Sequence, residues 1–390
     1  MVDIELNVAG NTNRKDASVN HDHDRLSDPE TTLAIGTTPI LDGVASQPLV
    51  LPRELEAERQ NASDKGARLD ERLEAFENII DSEIGDTRLA RARNIERETG
   101  LRQLYLKFDG GNPTGTQKDR IAFAQATDAL RRGFDTLTGA TCGNYGAALA
   151  MAASFAGLRC VIFVPASYHS RRVEEMRGYG AEIVVASGDY EAAVEASRMR
   201  AADEELYDAN PGGANIPIQM RGYGEIAYEI YDELRDAPAA VAVPVSNGTT
   251  LAGIAKGFQS LYRRGKTSRI PRMIAGSSYR KNPIVDSFLK NYDECRDLDP
   301  ARIHETAVNE PLINWHSIDG DAALDAIRQT AGWAAYASDR AMTRFARMMS
   351  SSEGLNVLPA SMAGLIALLE GHSRETLPND RYVVVLTGRR

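Results

Sequence analysis

Three short loops rich in glycine, hydroxyl and amide residues carry the chemistry that can be read from this chain of 390 residues. In the first, Asn112-Pro113-Thr114-Gly115-Thr116-Gln117-Lys118-Asp119-Arg120, a lysine opens a helix directly after a turn. A helix start carries partial positive charge, which disfavours a second cation and favours the neutral amine. Such an amine is a nucleophile for an aldehyde and a base afterwards. In the second, Ala140-Thr141-Cys142-Gly143-Asn144-Tyr145-Gly146, hydroxyl, amide and backbone donors precede an alanine-rich helix. That arrangement can hold a carboxylate at a helix N-terminus. In the third, Ser246-Asn247-Gly248-Thr249-Thr250 follows an apolar strand and leads into a helix, the makings of an anion cradle. Taken singly, each has a plainer alternative: a solvated lysine, an inert loop, an ordinary strand-turn-helix connection.

The elements around these loops alternate. Strands are expected at 104–108, 134–138, 159–164, 181–185, 239–245, 273–276 and 382–386. Helices are expected at 68–78, 121–132, 147–156, 173–179, 190–204, 251–262, 322–332, 339–350 and 360–370. Apolar strands alternating with helices predict parallel sheets covered on both faces, an α/β fold that places ligands at the carboxyl ends of its strands. Residues 1–75 read as an N-terminal extension, with the first 35 or so as a flexible polar tail. His21-Asp22-His23-Asp24 could ligate a metal there, but a solvated tail is the plainer reading, and no metal site is expected.

Composition narrows the function classes. The net charge is −10 and no basic block is segregated, which argues against nucleic acid as a partner. No apolar run reaches the ~18 residues that a membrane span needs. The three cysteines form no CxxC pair, which fits a reducing compartment, and a cytoplasmic location is expected. The first residues are polar and mixed in charge, unlike a secretory signal.

The lysine loop resembles the Asn-Pro-Thr-Gly-Ser-Phe-Lys-Asp-Arg signature of threonine synthases, with Gln117 in the place of the usual Phe. The resemblance runs from about Ile84 to the last residue. It takes in Glu353-Gly354 with Pro359-Ala360-Ser361, where Leu358 replaces a usual Glu, and the closing Leu386-Thr387-Gly388. It implies a fold type II pyridoxal-phosphate (PLP) enzyme of two three-layer α/β/α domains with mostly parallel sheets and the cofactor in the cleft between them. On this reading the large, cofactor-binding domain spans 76–126 plus 220–390 and the small domain 127–219. Lys118 carries the cofactor as a Schiff base, and Asn144 meets its phenolic oxygen. Ser246, Asn247, Gly248, Thr249 and Thr250 hold its phosphate, and Thr387 faces its pyridine nitrogen. Thr141, Cys142, Gly143 and Tyr145 border the substrate carboxylate, with Cys142 an inert backbone donor rather than a reactive thiol. Arg172, Arg221, Arg280 and Lys281 stand where a phosphate leaving group could be met, though each alone reads as a solvated charge. Asp119 and Arg120 read as structural, and a homodimer is implied.

The activity expected is elimination or replacement on an activated amino acid, with Lys118 as the base at Cα. A neutral Thr387 at the ring nitrogen, where an Asp would keep that nitrogen protonated, suits prompt loss of a leaving group. The segment Met220-Arg221-Gly222-Tyr223-Gly224 departs from the threonine synthase pattern, which weakens homoserine phosphate as the substrate. β-Replacement on phosphoserine or acetylserine, as in cysteine or cysteate synthases, and a threonine or serine dehydratase remain alternatives. So do an inactive cofactor-binding subunit and a plain binding protein.

Overall fold

The computed structural model describes residues 53–141, 143–166 and 172–390. The extension contributes α1 (Arg53–Ser63) and α2 (Leu69–Glu83), followed by β1 (Leu89–Arg91), α3 (Arg93–Thr99), β2 (Leu104–Phe108) and α4 (Lys118–Arg131). The chain then runs β3 (Thr136–Ala140), α5 (Asn144–Ala156), β4 (Arg159–Pro165), α6 (Arg172–Gly178), β5 (Glu182–Ala186), α7 (Tyr190–Asp203) and β6 (Tyr207–Asp208). It continues α8 (Ile216–Leu234), β7 (Ala240–Pro244), α9 (Thr249–Arg263), β8 (Arg272–Ser278), α10 (Pro283–Leu289), α11 (Gly320–Gln329), β9 (Trp333–Ala337), α12 (Asp339–Glu353), α13 (Ala363–Arg374) and β10 (Tyr382–Leu386).

The strands form two sheets: β1-β2-β10-β7-β8-β9, and β5-β4-β3-β6. Every pairing is parallel except that of the short β1 with β2. The strand β10, Tyr-Val-Val-Val-Leu, is buried along its whole length, as a central parallel strand requires. Its register aligns Val383 with Tyr105 of β2 and with Val241 of β7. The loops that follow β2, β7 and β10 therefore leave the large sheet along one edge, and they are the Lys118 loop, the Ser246–Thr250 loop and the Thr387 segment.

One apolar core fills the space between the sheets and helices α2, α4, α5, α8 and α9; a second lies beyond the large sheet under α12 and α13, and a third under α7. Helices thus cover both faces of each sheet. The extension joins the first core. Phe76 of α2 stacks on Phe123 of α4 at 5.6 Å between ring centroids, and Arg72 donates to the carbonyls of Ala62 (2.9 Å) and Ala156 (3.0 Å). Residues 53–83 thereby buttress α4 and α5, whose first residues are Lys118 and Asn144.

Helices α8 and α9 cross at contact distance because glycines face each other. A Cβ at Gly253 would lie 2.8 Å from the Met220 carbonyl oxygen, and one at Gly257 would lie 2.6 Å from that of Gly224.

The expected strands and helices are present; the short elements α1, β1, α3, β6 and α10 come in addition, and three further differences are informative. The helix α8 was not expected, because Pro217, Gly222 and Gly224 interrupt its apolar spacing. The edge strand β9 was not expected either, since Trp-Ala-Ala-Tyr-Ala lacks β-branched residues. Helices α4, α5 and α9 begin at 118, 144 and 249, two or three residues earlier than apolar periodicity places them. Their first turns face the open ends of the strands instead of a core, so those turns carry polar residues outside the periodic pattern.

The tail reading of residues 1–35 and the His21–Asp24 cluster lie outside the described residues.

Candidate active site

The three early-starting helices and the end of β10 converge on a cavity of about 990 Å³. Its wall includes Lys118 from α4, Thr141, Gly143, Asn144 and Tyr145 from the loop into α5, Ser246 to Thr250 from the loop into α9, and Thr387. The first-turn N–H groups of a helix have no partner within it, so three sets of donors face this space.

The Lys118 loop is fixed from several sides. The buried carboxylate of Asp119 accepts from the Thr114 N–H at 2.8 Å and from the Thr114 hydroxyl. The Asn112 amide oxygen accepts from the Gly85 N–H at 2.9 Å. The segment after β10 laces into the loop: Gln117 N–H donates to Thr387 O (3.0 Å) and Arg389 N–H to Gly115 O (2.9 Å). The Arg389 guanidinium donates to the carbonyls of Gly110 (3.0 Å), Asn112 (3.1 Å) and Pro113 (2.7 Å). Burial pushes the Asp119 carboxyl up to about 7, against the two bonds from Thr114 and the charges of Arg172 and Arg389.

Beneath the loop lies a buried ion cluster. The Arg120 guanidinium donates to both carboxylate oxygens of Asp109 (2.8 and 2.9 Å) and of Glu229 (2.5 and 2.9 Å), and Lys107 pairs with Glu229 as well. Burial alone would raise the Glu229 carboxyl; the bonds and charge of Arg120, with those of Lys107, outweigh it and hold the group down at about 2. The structural reading of Asp119 and Arg120 fits these contacts.

Lys118 itself is half-buried, and its amine makes no hydrogen bond or ion pair among the described residues. It lies 5.9 Å from the ring centroid of Tyr223 on α8.

Asn144 is the first residue of α5, behind Gly143, whose φ of 129° is open to glycine and strained for other residues. Thr141 accepts through its hydroxyl from the N–H groups of Gly143 (3.2 Å) and Gly146 (3.1 Å), which shapes the turn. Tyr145 lines the cavity with its ring, but its hydroxyl turns away and donates to Ala209 O at 2.6 Å and to the Gln125 side chain. Burial pushes that phenol well above its usual range. Cys142 lies outside the described residues.

In the third loop, the Asn247 side chain accepts from Asn314 (2.9 Å), the Ser246 carbonyl accepts from Asn282 (2.9 Å), and the Thr249 hydroxyl donates to the buried Asp319 carboxylate. The side chains of Asn247 and Thr249 thus rigidify the loop. The Thr387 hydroxyl is held by Ser361 at 3.1 Å.

Two basic residues of the expected site do not line the cavity. Arg172 opens α6, pairs with Glu175 at 2.8 Å and donates to Thr114 O at 2.8 Å. It therefore ties the small sheet's helix layer to the lysine loop. Arg221 is exposed on α8. Arg280 and Lys281 are also absent from the cavity wall, and the Lys281 amine is bound to the His304 carbonyl. Apart from Lys118, the described wall has Arg198 and His316 as basic residues against five carboxylates: Asp189, Glu191, Glu195, Glu305 and Glu310. Burial and the neighbouring Glu305 charge push the Glu310 carboxyl up to about 7.

Tyr223, Ser361, Arg389 and the carboxylates from 189 to 310 were not anticipated. Tyr223 sits in a segment flagged only for departing from the threonine synthase pattern. The carboxylates come from loops without a motif.

Comparison with known proteins gives this geometry a context. Residues 80–388 match the family model described as pyridoxal-phosphate dependent enzyme. The threonine synthase of Methanocaldococcus jannaschii is 29% identical over 305 residues, 78% of this chain and 74% of that protein. The threonine synthase of Bacillus sp. (strain ULM1) is 30% identical over 308 residues, 78% and 82% of the two chains. Among solved structures, the processed form of threonine deaminase isoform 2 from Solanum lycopersicum superposes with a TM-score of 0.67 at 15% identity, covering 83% of this chain and 91% of that one.

Proposed function

The chain belongs to the family of pyridoxal-phosphate dependent enzymes, and from that premise we propose that Lys118 carries the cofactor in a lyase acting on an amino acid with a leaving group. One observation carries the assignment of the residues. Lys118, Asn144, the Ser246–Thr250 loop and Thr387, separated by up to 269 positions, line a single cavity.

The donor set fits the cofactor. An amine without a partner can capture its aldehyde, and the first turn of α9 can receive its phosphate. The amide of Asn144 can donate to its phenolic oxygen. Thr387, oriented by Ser361, offers a neutral hydroxyl to its ring nitrogen. A buried hydroxyl of the cavity wall, that of Tyr223, also has no partner among the described residues. When bound, the cofactor supplies an electron sink for charge developing at the substrate Cα. Lys118 then acts as the base that removes and returns the proton at that carbon. The N–H groups at the start of α5, with Thr141 and Gly143, bind the substrate carboxylate and fix the Cα–H bond relative to Lys118.

Two sheets with separate helix layers support the division into a large domain (76–126 plus 220–390) and a small one (127–219). We extend the proposal, by resemblance to the family, to a homodimer in the cytoplasm. Among the described residues no helix is long and apolar enough to cross a membrane.

For the substrate, the relatives named threonine synthase favour a hydroxy-amino acid activated at oxygen. The charge of the described wall favours an acyl ester over a phosphate ester, because a phosphate dianion would face Glu305, Glu310 and three further carboxylates. β-Replacement on an O-acylated serine is therefore the second reading. Homoserine phosphate, phosphoserine, acetylserine and threonine, offered one at a time, test both. A visible-band shift and product with acetylserine alone support the acyl reading. Turnover of homoserine phosphate to threonine overturns it, and no response to any of the four sends the search to other amino acids.

A further inference from the structure

Three tyrosines line the cavity, and two of them, Tyr145 and Tyr223, differ in how their hydroxyls are satisfied. That of Tyr145 is bound twice, to Ala209 O and to Gln125. That of Tyr223 has no partner among the described residues, although the residue is fully buried. A buried hydroxyl left unpaired is costly, and natural cores rarely keep one without a use. Phenylalanine would fill the same space in α8 without that cost.

The second observation is what lies over the ring. The amine of Lys118 stands 5.9 Å from its centroid, within the range in which an aromatic face attracts a cation. The amine likewise has no hydrogen bond or ion pair among the described residues. An amine and a phenol, neither with a hydrogen-bond partner among the described residues, thus share one wall of the cavity. Tyr223 is held firmly: its Cβ lies where a Cβ on Gly253 would fall at 2.8 Å, so α9 packs directly against its base.

We propose that Tyr223 is the positioning residue for Lys118, its ring face seating the amine at rest and its hydroxyl oxygen accepting an N–H from the amine as it engages a ligand. This inference rests on Lys118 being the residue that captures the cofactor. A neutral amine that donates one N–H to the phenol oxygen keeps its lone pair directed away from the wall. The lone pair then adds to an aldehyde carbon; a C=N bond forms and the aldehyde oxygen leaves as one water. In this step Tyr223 forms no bond and takes up no proton. It fixes where the nitrogen stands.

The test separates a seat for Lys118 from a structural tyrosine by using two ligands. Pyridoxal phosphate is captured by the amine, whereas pyridoxamine phosphate has the same ring and phosphate but no aldehyde. Cofactor-free wild-type protein, Tyr223→Phe and Tyr223→Leu are mixed with each, following the visible band for the first and binding heat for the second. Thermal unfolding of each cofactor-free protein is recorded alongside. The expected result for Tyr223→Phe is capture slowed about three- to tenfold, the size of one lost hydrogen bond. Affinity for pyridoxamine phosphate stays within twofold, and the unfolding temperature is unchanged or higher, because an orphan hydroxyl has been removed. Tyr223→Leu, which also loses the ring face, slows capture further. Capture by Tyr223→Phe at the wild-type rate overturns the inference, and so does an equal loss of both ligands together with stability. A wild-type protein that gains no visible band at all overturns the reading of Lys118, and this inference with it.

Discussion

Arg120 and Lys118 stand two positions apart at the start of α4 and are treated in opposite ways. Arg120 is 5% exposed and shares its guanidinium between Asp109 and Glu229, with Lys107 completing the cluster. Lys118 lines the cavity with no ion-pair partner among the described residues. A buried charge is tolerated when every one of its bonds is made, and then it serves the fold. An amine left without a counter-ion at a helix start is available for chemistry. On the proposed reading of Lys118, one short motif thereby both anchors a loop and presents a nucleophile.

Four measurements break or sharpen that comparison. The largest effect is expected from Lys118→Ala, which abolishes covalent capture of pyridoxal phosphate while leaving the cofactor-free melting temperature within a few degrees. The visible spectrum and a melting curve read the two halves of that statement. Next, Arg120→Ala strands two buried carboxylates and costs about 3–5 kcal/mol of stability, read from the urea midpoint. Retention of wild-type stability by this variant would remove the distinction between the two residues.

The pH dependence of stability tests the same cluster. The Glu229 carboxyl is held at about 2, below its ordinary 4.5, so its contribution is complete above pH ~4.5 and is lost as pH falls towards 2. That limb is worth on the order of 3 kcal/mol and should shrink in Arg120→Ala, where only Lys107 still pairs with Glu229. Asp119 has the opposite sign. Its carboxyl is raised from 3.8 to about 7, so the folded state holds a proton that the unfolded chain has released, and stability falls as pH rises from about 4 to 7. Asp119→Asn should flatten that decline in unfolding curves collected across the range.

The smallest effect concerns the cavity wall. At about pH 8, where the Glu310 carboxyl raised to about 7 is mostly ionised, Glu310→Gln should improve the KM for phosphoserine relative to acetylserine about fivefold, as expected from ~1 kcal/mol between charges in a water-filled cavity. An unchanged ratio would show that Glu310 does not face the leaving group.

Much of this architecture was legible in the residues. The lysine loop, the Asn144 loop, the Ser246–Thr250 loop and Thr387 each stand at a strand end, and parallel pairing of β2, β10 and β7 brings three of them to one edge. The buried strands read clearly because β10 and β4 are continuous apolar runs. The helix α8 did not, since glycines needed for its approach to α9 look like loop signals in the sequence. The partners of Arg120 lie 11 residues before it and 109 after it, and no local pattern joins them. Arg172 and Arg221 carried a charge suited to phosphate, but charge alone does not say which way a helix turns it. Arg172 faces Thr114 and Arg221 faces solvent. The orphan hydroxyl of Tyr223 is a property of its surroundings in the fold and leaves no trace in composition or spacing.

The central claim is that Lys118, and no other lysine, captures the cofactor. The direct measurement is to add pyridoxal phosphate to the purified protein, reduce with borohydride and map the modified peptide by mass spectrometry. The account predicts a visible band before reduction and a single modified peptide that contains Lys118. Modification at another lysine, or a protein that stays colourless and unmodified, would contradict it.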